Sequence, residues 1–95
     1  MSIEKTFEEK EQETVTEVEV NLPFNVFLFN DDWHSFDQVI KQIIKAVKCS
    51  IQKAKAITFE VHVRGKAVVF SGELQECLKV SSILEEIALH TQIVS

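Results

Sequence analysis

The sequence predicts a small single α/β domain preceded by an acidic extension. Three observations predict it. A run of strand character, FNVFLF, spans Phe24–Phe29. A capped amphipathic stretch follows from Phe36 to about Lys48. The charge balance changes abruptly near residue 20.

The extension is defined by its charge. Residues 1–20 hold seven glutamates against Lys5 and Lys10, whereas residues 21–95 hold eight acidic and eight basic residues. The whole formal charge of −5 therefore sits in the first 20 residues. Apolar residues are sparse there until Val15, Val18 and Val20, so at least the first 14 are expected to be disordered. The expected division is 1–20 as extension and 21–95 as the domain. No basic patch marks a nucleic-acid surface, and the acidic segment repels phosphate. No apolar run approaches the roughly 20 residues of a membrane span. The first ten residues lack the apolar segment of a secretory signal. Cys49 and Cys77 show no ligand spacing and are expected as reduced thiols in a cytoplasmic protein.

Each element follows from its own pattern. Phe24–Phe29 is apolar nearly throughout and reads as a strand buried on both faces. Asn30-Asp31-Asp32 ends it. Ser35 stands three residues before Gln38, a capping-box spacing. Behind it Phe36, Val39, Ile40, Ile43, Ile44 and Val47 recur at helical intervals, with Lys41, Lys45 and Lys48 on the wet side. The next segment is ambiguous. Ser50 suits a helix cap, and Ile51, Ala54 and Ala56 permit a helix. Yet Ile57, Phe59, Val61 and Val63 alternate with polar residues, which favours a hairpin turning at Arg64-Gly65-Lys66. Ala67–Phe70 reads as a strand closed by Gly72. A last helix from about Leu74 to His90 aligns Cys77, Val80, Ile83, Leu84, Ile87 and Ala88 on one stripe. Gln92–Val94 suits a final short strand.

The stretch FLFNDDWHSF, Phe27–Phe36, carries unusual chemistry. Three amide or carboxylate side chains stand beside two large aromatics. They suit a turn, a metal site or a place to hold a cation. His34, His62 and His90 with Asp31 and Asp32 form a conceivable metal set, but HExxH and CxxC spacings are missing. Cys49 and Cys77 sit in helix-like settings without the marks of a nucleophile. No catalytic residue, metal or cofactor is expected.

NVFLFNDDWHSFDQVI, followed by EVHVRGKAVVFSG and CLKV, resembles the ClpS adaptor family over residues 23–95. The resemblance rests on Asn-Asp-Asp-aromatic before a capped helix, with Val-His-x-x-Gly-Lys-Ala thirty residues on. It implies three helices packed on one face of a three-stranded antiparallel sheet, with residues 51–63 helical. It implies an adaptor rather than an enzyme. Such an adaptor binds N-degrons, proteins whose first residue is large and hydrophobic, and hands them to a Clp-family AAA+ unfoldase; the acidic extension serves that handover. It further implies that Asn30, Asp31 and His62 hold the substrate's N-terminal ammonium, which needs acceptors because it has three donors and no lone pair. Asp32 then shapes the turn. His34, Phe36, Val39, Ile40, Thr58 and Val61 are the expected pocket for the first side chain, with Ile93 an approximate match to a lining leucine. Lys79 matches a lysine that contacts the unfoldase, whereas a family glutamate is missing near Leu74-Gln75. Phe36 and Thr58 stand where methionines are common, and His34 where a small hydroxyl residue is usual. The alternative is an interaction module without N-degron binding, like the ribosomal stalk C-terminal domain; that family lacks the Asn-Asp-Asp and Val-His features.

Overall fold

In the computed structural model, which describes residues 23–95, the chain runs β1 (Phe24–Phe29), α1 (Phe36–Val47), α2 (Ile51–Arg64), β2 (Lys66–Gly72), α3 (Leu74–Leu84), a 3-10 turn (Glu85–Ile87) and β3 (Thr91–Val94). The expected extension, residues 1–20, lies outside the described residues. The sheet is antiparallel with order β2-β1-β3, so the first strand of the described residues is the central one. A bulge at Val26/Phe27 shifts the register against β2.

β1 is not buried on both faces, contrary to the sequence pattern. Val26 and Leu28 are wholly buried under the helices and Phe24 packs against the same core, while Phe27 and Phe29 are half-buried. All three helices send their buried residues to one side of the sheet. On the other side the rings are shielded only partly. The Lys66 ammonium lies 5.2 Å from the Phe27 ring centre and 5.8 Å from that of Phe29, and the His90 ring leans on Phe29.

α1 begins as its spacing predicts. The Ser35 hydroxyl accepts the Gln38 N–H, and the Gln38 side chain accepts the Ser35 N–H. The ambiguous segment is helical. Ser50 caps it through the Lys53 N–H, and Gly65 ends it in the left-handed region. Its buried residues are Ala54, Ile57, Thr58 and Val61, at intervals of three and four. Of the alternating set, Ile57 and Val61 are buried but Phe59 and Val63 are exposed. Two exposed apolar residues thus imitated a strand.

α3 stops at Leu84, six residues short of the expected end. Gln42, a buried polar residue of α1, donates to the Ile83 carbonyl at 2.6 Å and so satisfies one of the helix's terminal acceptors. Lys45 draws Glu86 aside at 2.8 Å. Ala88 then takes a left-handed conformation, φ 66°, and turns the chain into β3. No helix of the described residues is long and apolar enough to cross a membrane.

Candidate functional site

β1 ends where its backbone is held from both sides. The Phe29 N–H donates to the His90 carbonyl at 3.0 Å, and the Asn30 N–H to the Gly65 carbonyl at 2.9 Å. The second bond joins Asn30 to the end of α2, just beyond His62. Gly65 permits this because at φ 91° its N–H still closes the helix on Val61 while its carbonyl turns toward β1.

Asp31 builds the turn that follows, a role expected of Asp32. Its Oδ1 accepts the Trp33 N–H at 3.0 Å and the His34 N–H at 2.9 Å. Those amides lie two and three residues on, within reach of an aspartate's short side chain. Oδ2 lies 2.6 Å from His34 Nδ1, and His34 Nε2 lies 2.6 Å from the Ile87 carbonyl. One imidazole therefore ties the turn to the 3-10 segment.

Between this turn, the start of α1 and the end of α2 lies a cavity of about 330 Å³. Asn30, Asp31, His34, Phe36, Val39, Thr58, Val61 and His62 all line it. Ile40, expected among them, belongs to the core instead. It follows Val39 by about 100° around the helix, which turns it away from the mouth. Ile93 also lies elsewhere: it pairs with Val26 and packs against the core. Leu89 takes a place on the wall, brought there by the early end of α3. Leu28, Phe29, Asp32 and Ser35 complete the lining. Lys79 is exposed on α3 and contributes nothing to the cavity.

The walls and the mouth differ in chemistry. Val39, Val61, Leu28 and Leu89 are buried and apolar. Thr58 is 3% exposed, and its hydroxyl donates to the Ala54 carbonyl at 2.8 Å, leaving a methyl group as its bulk. Phe36 is 45% exposed and meets the His62 ring edge-on, 5.3 Å between centres. At the mouth, partial burial opposes the Asp31 charge, but hydrogen bonds from the His34 N–H, the His34 ring and the Trp33 N–H outweigh it and hold the carboxyl below its usual range. The bond to Asp31 pushes the His34 imidazole up, more than burial pulls it down, and the Ile87 carbonyl and the Asp31 charge add to the rise. Acceptors at the rim of an apolar hole suit a small cation carrying an apolar group.

Residues 19–92 match the family model described as ATP-dependent Clp protease adaptor protein ClpS. The chain belongs to the ClpS adaptor family. It is 36% identical over 63 residues to the ATP-dependent Clp protease adapter protein ClpS of Vibrio atlanticus (strain LGP32), covering 64% of this chain and 59% of that one. It is also similar to part of a much larger protein, the E3 ubiquitin-protein ligase UBR1. The Drosophila melanogaster ligase is 39% identical over 69 residues and the human one 30% over 96, covering 72% and 98% of this chain. The ClpS-like chain spans only 4% and 5% of those ligases. The structure of Agrobacterium tumefaciens ClpS2 bound to L-phenylalaninamide has the same fold, with a TM-score of 0.69 at 17% identity, covering 77% of this chain and 98% of that one. Membership in ClpS does not favour the stalk-type alternative.

Proposed function

We propose that this domain binds the free N-terminal amine and large hydrophobic first residue of N-degron proteins and delivers them to a Clp-family AAA+ unfoldase. One observation carries the proposal: Asn30, Asp31 and His62 share a single cavity with the apolar walls of Val39 and Val61. An ammonium at the mouth meets an amide oxygen, a carboxylate and, when His62 is neutral, a ring nitrogen. One charge-assisted hydrogen bond contributes about 1.5–3 kcal/mol. Burying a Leu or Phe side chain contributes about as much, 1.5–3 kcal/mol. Together they support affinity on the order of micromolar.

The relatives support the same chemistry. L-phenylalaninamide, bound in the Agrobacterium tumefaciens ClpS2 structure, has a free amine beside a large apolar side chain, as a first residue does. The domain acts by binding, with residues 1–20 as its acidic extension and residues 21–95 as the adaptor domain. Lys79 is the contact to the unfoldase.

Titration with Leu- or Phe-starting peptides, free and acetylated, tests the proposal. Binding of the free amine alone is expected. Equal binding of both forms, or of neither, rejects it.

A further inference from the structure

His34 takes part in an arrangement that amine recognition leaves unused. Its Nδ1 lies 2.6 Å from Asp31 Oδ2 and its Nε2 lies 2.6 Å from the Ile87 carbonyl. An ionised carboxylate and a backbone carbonyl accept hydrogen bonds and have no proton to give. A neutral imidazole has one N–H and one lone pair. In either tautomer, that lone pair faces an oxygen at contact distance. Only the imidazolium donates at both ends. The two side chains are 11% and 20% exposed, so water is a poor substitute for the missing donor.

The same proton alters what Asp31 offers a ligand. A carboxylate has about four lone-pair positions. Two backbone amides and the His34 ring occupy three of those on Asp31. With His34 protonated, the Asp31 charge is also neutralised from within. We propose that His34 is a positioning residue of the ammonium site, whose second proton competes with the substrate's ammonium for the Asp31 carboxylate. This rests on the N-degron function proposed above. Losing that proton frees a full negative charge at the mouth and loosens the tie to Ile87. Ammonium binding in turn expels the proton, by linkage. The upward shift of the His34 pKa agrees with this geometry.

Other charged groups near His34 are few. Asp31 and Asp32 come from its own turn, and His62 lines the cavity from α2. In the 3-10 turn that supplies the Ile87 carbonyl, Glu86 faces Lys45 and Glu85 accepts from Thr91. Asp31 is therefore the carboxylate that His34 controls.

The test compares wild type with His34→Ser, full-length chains both, binding a Phe-starting peptide with a free amine at pH 5.5 and 7.5. Wild type should bind more tightly at the higher pH by roughly tenfold, the scale of one charge-assisted hydrogen bond. His34→Ser should lose most of that change, binding more tightly than wild type at pH 5.5 and no more tightly at pH 7.5. Groups common to both chains contribute equally to both profiles, so the difference between the profiles reports His34. A purely structural His34 predicts weaker binding by the variant at both pH values, and that result overturns the proposal. An NMR titration of the wild-type His34 ring needs no variant. Saturating peptide should lower its midpoint, and an unmoved midpoint overturns the coupling. If wild type binds neither free nor acetylated peptide, amine recognition fails and the coupling with it. Binding of the free amine with an unchanged pH profile in His34→Ser rejects the coupling alone.

Discussion

Phe36 and Thr58 both line the hole. Thr58 offers little more than a methyl group, and Phe36 leans over the mouth against His62. Phe36→Met replaces a rigid ring with a side chain that adapts to its neighbours. Relative affinities for peptides starting with Leu, Phe, Trp and Tyr should then reorder by more than about 1 kcal/mol, several-fold in Kd. An unchanged ranking would make Phe36 a bystander. The His34–Asp31 pair also affects stability, with a definite sign. The His34 pKa is raised, so its contribution is full below about 6.5 and fades as pH rises through the raised value. That of Asp31 is lowered, so its contribution is full above about 3.9 and fades as pH falls through the lowered value. The two overlap between about pH 4 and 6.5. His34→Ala should therefore lose most thermal stability near pH 5.5 and least above pH 8. An equal loss at all pH values would show that the ring acts by packing alone. Most of the lining was legible only through the family resemblance, which made residues 51–63 helical and set Asn30, Asp31 and His62 together; spacing then put Phe36 with Val39, and Thr58 with Val61 and His62, on one helix face each. The bond from His34 to Ile87 spans 53 residues, and no local pattern announces it.

The ends of elements do most to position these side chains. α2 was the hardest segment to read, because exposed Phe59 and Val63 lend it a false alternation. Its ends resolve the ambiguity: Ser50 and Gly65 are cap residues at the correct separation. Gly65 also holds Asn30 through its carbonyl. A Cβ added there meets nothing within 4 Å, so the cost of Gly65→Ala is one of backbone conformation alone. Stability should fall by about 1 kcal/mol in denaturant unfolding. Affinity for amine-bearing peptides should fall with it, since Asn30 loses a fixed anchor. Loss of stability with unchanged affinity would separate the turn from recognition. The early stop of α3 was not legible, because the cause lies on another helix. Gln42 reaches across from α1 to take the Ile83 carbonyl, and helical periodicity beyond Leu84 carries no sign of it.

The fold keeps the cavity and α3 apart. β1, α1, α2 and the segment around Leu89 line the cavity, and α3 supplies none of its lining. Lys79→Glu should therefore leave peptide affinity unchanged while slowing degradation of an N-degron substrate by the cognate unfoldase and protease. Equal loss of both would place Lys79 in substrate binding. The sheet was legible as three strands, yet its order was not, because alternation within a strand says nothing about its neighbours. That order has a kinetic consequence. Among the described strands the central one comes first, and its Asn25 bonds Ser71, 46 residues away. β1 cannot complete its pairing until β2 and β3 have arrived, which favours slow closure of the sheet. Meanwhile FNVFLF is an apolar edge open to self-association. During refolding, helical signal should return first and peptide binding last, because the mouth forms only when the two loops clasp the end of β1.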